Sequence, residues 1–438
     1  MSEKPNGQSN GQGGVVMIGN VDLSNVMRGR SFPAKRATSV LNSGLPWVPA
    51  NVLLSPCNSL PAGNPFGPVG ETKLVAVDRT PLRFPGTDEL PELQLHLAEI
   101  RNHDGSAWPV CPRSCLRLAL DQLKSEFGLT MQVGVEHELY IDGLDGPPSA
   151  AFSVEGSRRI SGFAESVHHM LSDAEADLEQ FAAEFGHYQF EIAGSVTEAL
   201  RAADNAVLAQ AAIRDAARRR RMQATFLPKP YPDQPGSGVH LHFSLWDKDG
   251  SVTARNDALT EQAGQFVAGI FAHLTSVLAC SLSNANSYAR LTPSSWVGIY
   301  PCLGVRNREA AIRLCPRVRE ADGTNPKASI EFRLADGTAN PYLALAALVH
   351  AGMAGMHAKL APPGNVEVDP ATLSEKERSD LGLSPLSKSP RDTLDGATAL
   401  GTWFGDTFLA AFRAVRENDM QDAQTLGEDY TTVMARVV

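Results

Sequence analysis

Residues 133–143 read VGVEHELYIDG, and their apolar side chains alternate as those of a half-buried β-strand do. The two-residue repeat puts Val133, Val135, His137, Leu139 and Ile141 on one face, which leaves Glu136 and Glu138 together on the other. Carboxylates two positions apart lie about 7 Å from each other, near enough to repel unless water, cations or basic side chains neutralise them. Taken alone the stretch also fits a solvated outer face. His137, set among apolar positions, reads as a structural histidine rather than a ligand.

The same pattern recurs along the chain. In GSGVHLHFSLWDKDG (236–250), His240, His242 and Ser244 alternate with Leu241, Phe243 and Leu245. HYQFEI (187–192) sets Gln189 and Glu191 on one face, with Glu184 in a turn just upstream. ASIEFRLA (328–335) alternates Glu331 and Arg333 with Ile330, Phe332 and Leu334, and AAIRLC (310–315) places Arg313 between Ile312 and Leu314. One such strand is a surface; several together are more economically a curved sheet whose polar face lines a cavity. Carboxylates with imidazole and no thiolate suit hard divalent cations such as Mg²⁺ or Mn²⁺ rather than structural zinc. Arginines beside acidic metal ligands are what a polyphosphate requires, since they neutralise oxygens the metals leave free. Phosphoryl transfer is therefore the leading reaction class. The chain has no GxxxxGK[ST] phosphate loop and lacks the protein-kinase signature set.

The 438 residues allow two or three domains, or one large domain with a smaller companion. A net charge of −10 without a long basic stretch argues against nucleic acid as a partner. The run Arg218 to Arg221 ends an Ala-rich helical stretch, where cations complement the helix dipole without any ligand. The six cysteines form no CxxC pair and follow no secretory signal, so reduced thiols in a cytoplasmic protein are expected. The most apolar stretch, residues 264–282, carries Gln265 and His273 and reads as a buried core helix rather than a membrane span, so no membrane partner is expected.

Residues 1–14 are polar and glycine-rich, a disordered tail by composition. Residues 15–33 alternate like one or two strands, PCNSLPAGNPFGPVG (56–70) is loop, and helical periodicity begins after WPVCP (108–112). The expected division is a small N-terminal domain over 15–110 and a large remainder over 111–438. Within the remainder the pattern predicts helices around 161–184, 196–222, 259–283 and 340–356, interspersed with the polar-faced strands. Strands and long helices without a strict βαβ rhythm indicate an α+β fold.

Seven landmarks, in order, resemble the glutamine synthetase superfamily: GVEHELY, EFGHYQFEI, ATFLPKP, GSGVHLHFSLWDKDG, NSYARL, RNREAAIR and IEFRLADGTANPYLALAAL. The likeness runs from about residue 110 to the end and is looser before it. The resemblance implies a β-grasp-like N-terminal domain and a catalytic domain with a curved antiparallel sheet flanked by helices. It implies a homo-oligomer, with ring-stacked dodecamers common in the superfamily, in which a neighbour's small domain completes each site. By matching position, Glu138, Glu184 and Glu191 hold one divalent metal, and Glu136, His240 and Glu331 a second, with a third in some members. Arg308, Arg313, Lys327 and Ser244 match contacts to ATP, although Lys327 stands one residue closer to its glutamate than in the form compared. Arg290, Arg333 and Gly236 match the binding of the amino-acid substrate, and His242 lies near the transferred phosphate; Arg308 and Arg333 also act in catalysis. The implied chemistry is an acyl phosphate made from a glutamate γ-carboxylate and ATP, then displacement of phosphate by an amine.

Three departures bear on the acceptor. LTPSSWVG (291–298) places Trp296 where ammonia-using members carry a glutamate. PCNSLPAGNPFGP stands where an Asp-Gly-Ser-Ser stretch is expected, and Pro235 replaces an asparagine that contacts glutamate. Ammonium needs acceptors and charge compensation, and an aromatic ring in place of a carboxylate removes both; Trp296 instead suits the apolar body of an organic amine. A γ-glutamyl-amine ligase is the expectation, with ammonia-using glutamine synthetase as the alternative. A non-catalytic relative is disfavoured, because a scaffold has no need of six acidic or histidine ligand positions. No tyrosine occurs between Tyr342 and Tyr430, so control by tyrosine adenylylation is not expected.

Overall fold

In the computed structural model, which describes residues 14–88, 90–316 and 328–438, residues 133–142 of the opening stretch lie within a 13-residue strand, Thr130–Asp142, at the middle of the larger of two main sheets. Residues 1–13, most of the expected tail, and Lys327 lie outside the described residues.

The smaller sheet comprises β1 (Val15–Val21), β2 (Met27–Pro33), β3 (Leu45–Trp47), β4 (Thr72–Ala76), β5 (Leu82–Phe84) and β6 (Leu93–Arg101), ordered β2-β1-β6-β4-β3 with β5 also on β6. Only β1 and β6 run parallel in it. The larger sheet is built on β7 (Thr130–Asp142), β8 (Leu178–Ala183), β9 (Gln189–Gly194), β10 (Thr197–Glu198), β11 (Gln223–Thr225), β12 (Val239–Asp247) and β13 (Gly250–Ser251). After the separate hairpin of β14 (Ala254–Arg255) and β15 (Ala258–Leu259), it is completed by β16 (Leu303–Val305), β17 (Ile312–Cys315) and β18 (Ser329–Ala335). The order is β16-β17-β18-β12-β7-β9-β8, antiparallel except between β16 and β17.

The alternation that marks β7 has a packing cause. Val133, Val135, His137, Leu139 and Ile141 are all buried in the core, where the helix Ala199–Arg219 packs against the strand. That helix presents a run of buried alanines, including Ala202, Ala206, Ala209 and Ala216, which lets its backbone approach the sheet closely. Behind it the helix Pro341–His357 is apolar nearly all round and almost wholly buried. It starts cleanly because Asn340 accepts from the Tyr342 and Leu343 amides while Pro341 occupies the first turn. Each large aliphatic side chain buried here contributes roughly 1.5–3 kcal/mol.

Two expected helices are corrected. Residues 161–184 divide into a helix, Ser161–Asp173, and strand β8, which pairs with β9. The apolar stretch of 259–283 is two helices, Glu261–Ala272 and Leu274–Ser281, meeting at His273 with a 76° bend. Among the described residues no single helix is long and apolar enough to cross a membrane. The first of the pair crosses Pro341–His357 through two glycines: a Cβ on Gly269 would sit 2.6 Å from the Gly355 amide nitrogen.

Candidate active site

Strand pairing brings the charged positions together. In register, Glu136 faces His240 across β7 and β12, Glu138 faces Glu191 across β7 and β9, and Glu331 lies between His242 on β12 and Arg313 on β17. A bulge in the β12–β18 pairing sets Arg333 and Leu334 between the paired positions Phe332 and Ala335.

Glu136 is held between two imidazoles, 3.3 Å from His240 Nδ1 and 3.2 Å from His242 Nε2. Burial would raise its pKa, but hydrogen bonds and charge from both histidines outweigh that and hold the carboxyl far below the usual range. Glu331 is 1% exposed and meets Arg313 Nε at 2.5 Å, the Arg333 guanidinium, and both imidazoles at 3.7 Å. Burial opposes its ionisation; these cations prevail and bring its pKa to about 2. His242 shows the reciprocal effect: burial lowers its pKa, while Cys315, Glu136 and Glu331 raise it to about 10, so the ring is imidazolium at neutral pH.

The other carboxylates have the opposite problem. Glu184 is pushed up to about 7, first by burial and then by Glu138, and Glu191 to about 8, by burial and then by Glu136, Glu138 and Glu184. The charge of Arg308 lowers both. Clustered acids that cannot all ionise, beside an imidazole, are a donor set matched to hard divalent cations. Ligand atoms of Glu136, Glu191 and His240 already lie within 4.8 Å of one another. This grouping cuts across the two expected sets, with Glu191 from one joining Glu136 and His240 from the other. Glu138 is turned to the backbone, accepting from the Gly238 amide at 2.7 Å.

A second group within the same limit is His242, Cys315 and Glu331, so the cavity face is not free of thiol as expected. Cys315 stands two positions after Arg313 on one strand face, and its Sγ lies 3.1 Å from Arg313 Nε. The same alternation that exposed Arg313 could have found it.

The expected substrate arginines are both enclosed. Arg290, 4% exposed, donates to the carbonyls of Ala335 and Arg333 at 3.2 Å, and does not reach the open cavity. Gly236 and Gly238 make room for it, since a Cβ on Gly236 would lie 2.7 Å from Arg290 Cγ. Pro235 offers its carbonyl to Tyr140. Arg333 donates to Glu331 and, at 2.8 Å, to the Trp296 carbonyl, while its Nε is buried with no hydrogen-bond partner.

Ser244 accepts from Trp246 at 2.9 Å and borders a cavity of about 470 Å³ that also touches Gln132, Glu136, His242 and Ser329. Trp296, 45% exposed, meets Arg333 through its carbonyl, and its ring is edge-on to Phe185 with centroids 5.3 Å apart. Arg308, exposed, stands 5.6 Å over the indole rather than among the carboxylates. Phe185, next to Glu184, and Glu309, whose carboxylate accepts from the Trp296 amide, carried no periodic signal in the sequence.

A sheet face that gathers acids, imidazoles and arginines is a donor set suited to divalent cations and phosphoryl groups. The chain belongs to the glutamine synthetase family, whose members are ATP-dependent ligases that form C–N bonds with the help of divalent metals. The family's N-terminal domain matches residues 13–108 and its catalytic domain residues 109–434. A glutamine synthetase of Thermococcus kodakarensis is 34% identical over 65% of this chain and 64% of its own length, so the match spans just under two thirds of that relative. The gamma-glutamylpolyamine synthetase GlnA3 of Streptomyces coelicolor is 27% identical over 97% of this chain and 93% of its own. Among solved structures, one described as a novel glutamine synthase homolog superposes with a TM-score of 0.86 at 30% identity over the full length of both chains. Ligand-free GmaS gives 0.79 at 22% identity over 94% of both, a likeness of fold.

Proposed function

We propose that this chain joins the γ-carboxylate of glutamate, or a similar acidic amino acid, to an organic primary amine at the expense of ATP. The observation that carries this reading is the half-exposed Trp296 with its indole edge-on to Phe185, aromatic side chains that suit the apolar body of an amine and carry no charge to bind ammonium. Glu138, Glu184 and Glu191 would hold one divalent cation, and Glu136, His240 and Glu331 another. Such cations supply charge neutralisation at the transferring phosphoryl group. Arg308, Arg313, Lys327 and Ser244 are assigned to ATP, and Arg290, Arg333 and Gly236 to the acid; with Arg290 and Arg333 enclosed, the acid binds only after local rearrangement.

A carboxylate oxygen of the acid attacks the γ-phosphorus and ADP departs, leaving an acyl phosphate. The His242 imidazolium, beside Glu136 and Glu331, offsets charge where that group is transferred. The amine nitrogen then attacks the acyl carbon, phosphate departs with the C–O bond electrons, and the nitrogen loses a proton to give the amide. Water competes at this second step, so the site must close.

Ammonia is the second reading, supported by the archaeal glutamine synthetases among the relatives; the GlnA3 likeness over nearly the whole chain supports an amine. ATP- and glutamate-dependent phosphate release, measured with ammonium and with a panel of primary amines, separates them. Strong preference for ammonium would sink the amine reading. A homo-oligomer whose small domain completes a neighbour's site, up to a dodecamer, is part of the same proposal, and light scattering tests it.

A further inference from the structure

We infer that Glu309 is a positioning residue that sets acceptor selection, by fixing the Trp296 peptide between its own carboxylate and the Arg333 guanidinium. The inference rests on the amine-ligase reading. Trp296 is held on both sides of its α-carbon: its N–H donates to Glu309 Oε1 at 2.7 Å, and its carbonyl accepts from Arg333 Nη2 at 2.8 Å. Between these anchors the residue has φ +61°, a left-handed conformation that is costly for a large side chain and persists only where its surroundings impose it. Both bonds are charge-assisted, the stronger kind of hydrogen bond.

The anchors determine where the indole points. With the peptide pinned, the ring stands edge-on to Phe185, which is itself edge-on to Phe152 at 5.2 Å, and beneath Arg308. The loop is tied a third time, by Ser294 donating to Asp369 at 2.8 Å. Loss of Glu309 frees the amide end, where the φ strain can relax, and the ring leaves the wall.

The Arg333 contact ties the two substrates together. Arg333 Nη1 meets Glu331, Nη2 meets the Trp296 carbonyl, and buried Nε has no hydrogen-bond partner and is a donor for an incoming carboxylate. The peptide that orients the amine wall thus also orients the guanidinium assigned to the acid. Glu309 touches neither substrate in this arrangement and acts through Trp296.

Steady-state kinetics of full-length Glu309→Ala and Glu309→Gln, with an alkyl or aryl monoamine as acceptor, test the inference. Glu309→Ala should raise KM for the amine roughly tenfold, as loss of one charge-assisted hydrogen bond implies, and raise KM for glutamate in the same direction. Glu309→Gln keeps a side-chain oxygen to accept from the amide, now as a neutral bond, and should recover most of the loss seen in Glu309→Ala. Acrylamide quenching of Trp296, taken as the difference from Trp296→Phe, should rise in Glu309→Ala alone. Unchanged amine and glutamate KM in Glu309→Ala, or a Gln variant as impaired as the Ala variant, overturns the inference. The wild-type acceptor panel decides the amine reading separately. If ammonium alone is used, that reading falls while quenching and the glutamate KM still decide the role of Glu309.

Discussion

At the scale of single residues, Glu331 joins the most partners, with two guanidiniums, two imidazoles and a thiol around one buried carboxylate. Glu331→Ala should lower ATP-dependent phosphate release at least about a thousandfold, and so should Glu138→Ala, because each removes a carboxylate that we assign to a divalent cation. Near-normal turnover in either variant would refute that residue's assignment. Protons give an independent measure. Glu184 at about 7 and Glu191 at about 8 retain protons at neutral pH that a cation must displace. Cation affinity should therefore weaken as pH falls below about 8, with protons released on binding. Calorimetry of Mn²⁺ binding at pH 7 in buffers of different ionisation heat detects that release, and equal heats would exclude it. Most of these positions were legible as alternating polar residues, since a strand with one face in the core must turn the rest elsewhere. Which carboxylate meets which imidazole was not, because inter-strand register is a tertiary fact.

Among the elements, the tight places are glycines and the loose ones are exposed turns. Gly269→Ala should destabilise by about 1–3 kcal/mol, because its Cβ would press into the backbone of a packed helix. Gly162→Ala, at an exposed position in the first turn of the helix Ser161–Asp173 with nothing within 4 Å, should instead stabilise by about 0.5–1 kcal/mol. Chemical denaturation midpoints of the two variants should move in opposite directions. The same contrast explains which elements could be read. Strand β7 was plain because its two faces meet different surroundings. Strand β8, LEQFAA, lies at the sheet edge with most side chains partly exposed, so it lacks alternation, and its Leu, Glu, Gln and Ala favour a helix. The break at His273 has no proline or glycine at the bend; apolar periodicity runs through it, and packing on both sides sets the angle. Phe185 and Trp296, more than 100 positions apart in sequence, meet only because their loops converge at the same end of the sheet.

Across the whole molecule, the small sheet is fastened to the large domain by charge. Arg113, at the head of the helix Pro112–Phe127, bonds Glu99 of β6 at 2.9 Å and Asp204 of the helix Ala199–Arg219 at 2.9 Å, and Tyr342 donates to the same Asp204 at 2.7 Å. Arg113→Ala removes the one side chain that bonds both buried carboxylates, leaving Glu99 with Arg101 and Arg117 and Asp204 with Arg79 and Tyr342, and should cost about 1–3 kcal/mol of unfolding free energy, seen as a lowered denaturation midpoint. A change below about 0.5 kcal/mol would mean that the apolar contacts between the domains suffice without it. The crowded acids of the large sheet work against this cohesion. Raised carboxyl pKa values mean that stability is fully present below the unfolded value, near 4.5, and drains away as pH climbs through 7 and 8 while no cation is bound. Glu191→Gln removes one such charge. It should therefore be more stable than the wild type at pH 8 without metal, by about 1–3 kcal/mol, yet gain less than the wild type when Mn²⁺ is added. On these grounds the most robust version of this fold is an inert one, and each acid kept in the sheet is a concession of durability to chemistry.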